Sequence, residues 1–184
     1  IYVDGGDSTL ANVTLGKVSI DALNALGLDA TVLGNHDFDY SLKNLLSLRD
    51  RASYAMLSAN TKFREGKTYE GEKTYPFGDY ITIEAAGLKF GIFGVTDDKS
   101  AETTLYTNTR DIEWDDDLTK ATELVTKLKG EEKCDVVVAL SHLHSKNTKL
   151  VTDNKAVDIS IGGGNDIAGR PTIVNDTQYL INPS

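Results

Sequence analysis

Leu33-Gly34-Asn35-His36-Asp37-Phe38-Asp39-Tyr40 is the stretch whose reading decides the fold. It continues Ala30-Thr31-Val32-Leu33, a short run that reads as a buried strand. A strand ending in glycine delivers the next side chains to a sheet edge with a tight backbone approach. An amide oxygen, an imidazole and two carboxylates follow between Asn35 and Asp39. These groups bind hard cations and move protons; they are not core groups. The plainer reading is a polar βα turn that caps the next helix.

Working outward, strand-like and helical patterns alternate. Ile1 to Val3 predicts a strand. Lys17 to Leu26 predicts a helix with Val18, Ala22 and Leu26 on one apolar stripe, Ile20 and Leu23 beside it, and Gly27 closing it. Leu42, Leu45 and Leu46 mark a second helix that ends near Arg49 to Arg51, and Tyr54 to Ser58 a strand. Residues 60–78 are polar and predict a surface excursion. Tyr80 to Glu84 and Lys89 to Val95 predict a hairpin about Ala86-Gly87, and 96–111, without periodicity, a loop. Asp115-Asp116-Asp117 precedes an amphipathic helix carrying Leu118, Ala121, Leu124, Val125 and Leu128, so these acids read as its cap. Asp135 to Leu140 is a buried strand, followed by a helix near Ser145 to Asn154. Val157 to Ile161, Thr172 to Val174 and Tyr179 to Ile181 are further strands. This alternation with an inserted hairpin predicts an α/β sandwich with mixed sheets.

Composition narrows the function. With 184 residues, 40% hydrophobic and 26% charged, the chain suits a globular domain with a real core. A net charge of −9 argues against binding a nucleic-acid duplex, and no apolar run approaches the ~20 residues of a membrane span. The single Cys134 excludes an internal disulfide and a cysteine zinc site, and reads as a buried inert thiol. Asn12-Val13-Thr14 and Asn175-Asp176-Thr177 fit the glycosylation acceptor pattern, which arises often by chance. The chain opens inside a predicted strand, so an upstream segment is expected.

Polar groups gather where the predicted strands end: Asp4-Gly5-Gly6-Asp7, Asn35-His36, His142 and Gly164-Asn165-Asp166. Ligands in α/β sheets collect at those ends. All three histidines, His36, His142 and His144, fall there, although a lone histidine at a strand end is more often a hydrogen-bonded structural residue. The mixed nitrogen and oxygen set suits Zn²⁺, Mn²⁺, Fe or Ca²⁺ better than a thiolate-seeking metal. Two such ions about 3.5–4 Å apart can clamp a phosphoryl group and generate hydroxide.

The Leu33–Tyr40 motif, Asp4-Gly5-Gly6-Asp7 and Ala139-Leu140-Ser141-His142-Leu143 resemble the 5′-nucleotidase branch of the calcineurin-like metallophosphoesterases. Weaker matches are Ser58-Ala59-Asn60, Gly91-Ile92-Phe93-Gly94-Val95-Thr96 and Asp158-Ile159-Ser160-Ile161-Gly162-Gly163. The resemblance implies a metallophosphoesterase-like αββα sandwich over residues 1–184. It implies two divalent metal ions, with Asp7 bridging them and Asn35 and His142 on the second. His36 would face the scissile phosphate as transition-state stabiliser or general acid, and Asp39 would orient and charge it. Asp37 takes a supporting place. A location outside the cell, in the periplasm or on the cell surface is implied as well.

Three departures stand beside the likeness. The Asp-x-His strand with which the family begins lies upstream of Ile1, so the domain is expected to be incomplete there. The family's C-terminal nucleotidase domain, with its nucleoside-stacking aromatics, is also absent. Where the family has Gly-His-x-His, this chain reads Gly163-Gly164-Asn165-Asp166. Gly164 offers no imidazole, while Asp166 retains an oxygen for the first metal. His144 would replace the imidazole only if it did not point elsewhere along a continuing strand. The expected function is a divalent-metal-dependent phosphohydrolase acting on nucleotides or other phosphate esters. The alternatives are a catalytically degenerate relative serving as a binding or surface-interaction module, or a structural domain with one incidental metal site.

Overall fold

The computed structural model describes residues 1–9, 13–69, 71–164, 171–175 and 178–181. Its framework is two facing sheets. β1 (Val3–Asp4), β2 (Ala30–Val32) and β3 (Ala55–Leu57) form a parallel three-stranded sheet in that order. β4 (Thr61–Phe63) belongs to a separate ribbon. β5 (Tyr80–Ala85) and β6 (Leu88–Thr96) form the expected hairpin. β8 (Val136–His142) runs parallel to β6 and to β9 (Ile159–Gly162). β11 (Gln178–Ile181) and β10 (Thr172–Val174) complete a mixed six-stranded sheet ordered β10-β11-β9-β8-β6-β5.

Period-two alternation explains the layering. Ile92 of β6 and Val138 and Leu140 of β8 point between the sheets, against Ala30, Val32 and Leu57. Phe93, Val95, Val137 and Ala139 face the other way, onto α5 (Asp117–Gly130) and α6 (Asn147–Asp153). The three-stranded sheet carries α1 (Val13–Leu26) and α2 (Leu42–Arg51) outside it, over a core that includes Ile20, Leu45 and Met56. The result is an αββα sandwich, as the sequence predicts. Cys134 is buried beneath α5, and burial pushes its thiol pKa up. Among the described residues, no helix is long and apolar enough to cross a membrane.

Four expectations are corrected. α1 begins earlier, at Val13, and packs through Gly16, Ile20 and half-buried Leu23. Val18 (57% exposed) and Leu26 (66%) face solvent. The cause is a close approach: a Cβ on Gly16 would stand 3.1 Å from a Leu48 methyl, so α2 seats the glycine side of α1. The polar excursion after Asn60 contains β4, which pairs antiparallel with β7 (Ile112–Trp114). The aperiodic loop after Thr96 holds two one-turn helices, α3 (Ser100–Thr103) and α4 (Tyr106–Thr109). Of the three acids before α5, only Asp116 caps it, accepting from Thr119 N at 2.7 Å. Asp115 binds Lys62 and Tyr75 instead, and Asp117 is buried against Lys146.

Candidate metal centre

The Leu33–Tyr40 motif does not cap the next helix; Ser41 does, accepting from Asn44 N at 3.3 Å. Asn35–Phe38 instead winds into a 3-10 turn beyond β2. Phe38 anchors it, fully buried and edge-on to Trp114 at 5.3 Å and to Phe77 at 6.3 Å. Buried Asp37 closes the turn: Oδ2 accepts from Gly34 N (2.8 Å) and Asp7 N (3.1 Å), and Oδ1 from Thr9 N (2.9 Å) and Thr9 Oγ1 (2.6 Å). Burial raises its pKa, and these donors oppose the rise. Asp37 thereby ties the end of β1 to the end of β2 and holds Asp7 at a left-handed φ of 60°.

Asp7 Oδ1 accepts from His36 N at 3.0 Å, and Asp7 Oδ2 lies 3.2 Å from Nε2 of His142. His142 enters at the end of β8 and is almost wholly buried. Its Nδ1 lies 2.9 Å from the Gly5 carbonyl, so Nδ1–H donates there. In the neutral ring Nε2 is then bare and faces a carboxylate oxygen, one acceptor against another. His142 Nε2 and Asn35 Oδ1 are among the few buried side-chain polar atoms without a hydrogen-bond partner among the described residues. Burial alone would raise the Asp7 pKa, but His142 and His36 outweigh it and hold the carboxyl below its ordinary range. Burial disfavours the His142 cation, yet Asp7 and the Gly5 carbonyl leave its pKa raised. A cation among Asp7, Asn35 and His142 resolves the acceptor–acceptor contact and the unpartnered amide oxygen, so these donors fit a divalent metal ion.

Glycines make the close packing possible. A Cβ on Gly34 would stand 2.1 Å from Asp7 Oδ1 and 2.7 Å from His142 Cε1, and one on Gly163 would stand 2.4 Å from His142 Nδ1. His36 projects outward with its side chain 47% exposed, and its Nδ1 meets Asp39 Oδ2 at 2.7 Å. That contact, more than any other, raises the His36 pKa. Thus Asp7, His36 and His142 are brought together around Asp7, with Asn35 beside them in the chain and Asp39 behind His36. Asp166 lies outside the described residues.

Several groups escape sequence reading. β8 stops at His142, and His144 begins a 3-10 turn (His144–Lys146) at φ 50°. Its ring therefore packs edge-on to that of His142, 5.5 Å between centroids, with Nδ1 bonded to the Gly164 carbonyl; it does not point away along a continuing strand. Thr104 Oγ1 and Asn108 Nδ2 donate to Asp39. Asp97, Asp98 and Asp117 cluster closely enough to suggest a second cation site. Lys146 fills that place: its Nζ lies 3.0 Å from Asp97 and 2.8 Å from Asp98 and is bonded to Asp117. Burial opposes the Lys146 charge, but the three carboxylates raise its pKa well above the ordinary lysine range. The strand-end rule points to Asp97-Asp98 just past β6 and could have found this cluster.

No family model matches the chain. The 5′-nucleotidase of Vibrio vulnificus is 32% identical over 121 residues, covering 66% of this chain and 21% of that protein. The 5′-nucleotidase of Bos taurus is 31% identical over 170 residues, covering 89% of this chain. The chain belongs to the 5′-nucleotidase family. It spans only 21% and 29% of these two relatives. The family's fold agrees with the structure: a 5′-nucleotidase precursor of Thermus thermophilus superposes with a TM-score of 0.80, at 22% identity, over 98% of this chain and 39% of that one.

Proposed function

We propose that this chain supplies part of a divalent-metal-dependent phosphoesterase centre acting on nucleotides or other phosphate esters. The carrying observation is the bare Nε2 of His142 opposite Asp7 Oδ2, with Asn35 Oδ1 unpartnered beside them. Asp7, Asn35 and His142 are the proposed ligands, and Asp166 a further one. A bound divalent ion would draw charge from the phosphoryl oxygens and lower the pKa of a water.

This chain's residues have their own tasks. The Gly5 carbonyl sets the His142 tautomer and aims Nε2 at the cation position. Asp7 takes the position between the ends of β1 and β2 that Asp37 fixes. His36 stands at the open side, where its Nε2 can donate to a phosphoryl or leaving-group oxygen. Asp39 holds Nδ1 and favours the cationic ring, an arrangement suited to a general acid. Nucleotides are proposed as substrates because the named relatives are nucleotidases. The reading as a module without catalysis is less well supported, since a pure binding surface needs neither the His36–Asp39 pair nor buried bare ligand atoms.

The test is calorimetric titration with Mn²⁺ or Zn²⁺, together with hydrolysis of a nucleoside monophosphate by the wild type and His36→Ala. Stoichiometric metal uptake and hydrolysis that falls in the variant support the reading. No uptake, or equal rates in the two proteins, overturns it.

A further inference from the structure

Building on the phosphoesterase reading, we propose that Thr104 and Asn108 are positioning residues for the His36–Asp39 pair. They lie 65 and 69 residues along the chain from Asp39, yet converge on it. Thr104 Oγ1 donates to Asp39 Oδ1 at 3.1 Å while His36 Nδ1 holds Oδ2 at 2.7 Å. Asn108 Nδ2 donates to the Asp39 backbone carbonyl at 2.6 Å. Thr104 and Asn108 are half-buried, whereas Leu105, Tyr106 and Thr107 between them face solvent.

The physical effect is orientational. A carboxylate bound through one oxygen still rotates about its terminal torsion, which is soft and broad. Holding the second oxygen fixes the plane, and holding the carbonyl fixes the backbone beneath it. The carboxylate then keeps Nδ1–H on His36, which leaves Nε2 turned to the site. The segment is itself anchored. Lys146 grips Asp97 and Asp98 at its start, Ser100 N donates to the Asp97 carbonyl at 3.0 Å, and Asp97 N donates to the His142 carbonyl at 3.0 Å. The α3–α4 segment therefore ties the support of His36 to the strand that carries His142.

The experiment compares wild type, Thr104→Val, Thr104→Ser and Asn108→Ser. Long-range ¹H–¹⁵N spectra of ¹⁵N-histidine protein at pH 9 read the neutral tautomer of each of the three rings, with His36→Gln assigning the signal. Wild type and Thr104→Ser are expected to hold His36 as Nδ1–H, and Thr104→Val and Asn108→Ser to drift toward Nε2–H. Hydrolysis of p-nitrophenyl phosphate with Mn²⁺ should show kcat about 10-fold lower in Thr104→Val, an unchanged KM, and recovery in Thr104→Ser. A wild-type tautomer in both Thr104→Val and Asn108→Ser overturns the proposal, as does loss in Thr104→Ser equal to that in Thr104→Val. Wild type without hydrolysis counts against the phosphoesterase reading alone, and the tautomers then decide this one.

Discussion

His36 and Asp39 meet at 2.7 Å, Nδ1 to Oδ2, across the end of a single 3-10 turn. The pair depends on that turn, because the three-residue spacing brings the carboxylate beneath the ring only when the backbone is wound. His36→Ala is expected to lower kcat by about 10²–10⁴, the usual worth of a placed acid or base. Its side chain is largely exposed, so the melting temperature should stay close to wild type. Steady-state kinetics beside a thermal melt check both.

Gly34→Ala should cripple cation binding without an intrinsic backbone penalty. Gly34 sits at φ −96° and ψ 178°, which alanine also adopts, but the added methyl would drive into Asp7 and His142. Affinity for Mn²⁺ should fall by at least ~10-fold in calorimetry. Gly130→Ala, in open space at the end of α5, is the control and should leave binding unchanged.

Lys146→Met removes the ammonium that neutralises Asp97, Asp98 and Asp117. Lys146 is partly exposed, so solvent screens some of the loss, and a destabilisation of about 1–3 kcal/mol is expected at pH 7. The sign of its pH dependence is set by the carboxylates. Left facing one another, their folded pKa values lie above the unfolded ones, so the deficit grows as pH rises and shrinks toward pH 4. Urea unfolding of both proteins at pH 4 and pH 7 measures it.

Asp116→Ala removes the α5 cap and should cost about 1 kcal/mol at pH 7. The Thr119 hydrogen bonds hold the Asp116 pKa below its ordinary value. A depressed folded pKa stabilises above the unfolded value and is lost as pH falls through the folded one. The difference between wild type and variant should therefore close below about pH 4 in denaturant melts.

Much of the fold was legible in the chain. β6, β8 and α5 announce themselves because both their faces or one clear face are apolar, and the chemistry of burial leaves few alternatives. The face of α1 was not legible: its apolar stripe through Val18 and Leu26 is real, but Leu48 fits against Gly16, and contact geometry chose the other side. β4 and β7 were missed because each is three residues long and becomes a strand only on meeting its partner. His144 was misdirected because β8 stops two residues before it.

What the amino-acid order determined by itself is the local material: a strand running into Gly34, a turn dense in oxygen and nitrogen donors, and a histidine at the end of the most apolar strand. Those follow from interactions between neighbours. Tertiary structure alone decided that Gly5 would set the tautomer of His142, 137 residues away, that Thr104 and Asn108 would close on Asp39, and that a lysine would neutralise three carboxylates. Such contacts span the sandwich, and only the packing of its two sheets brings their partners within hydrogen-bonding reach.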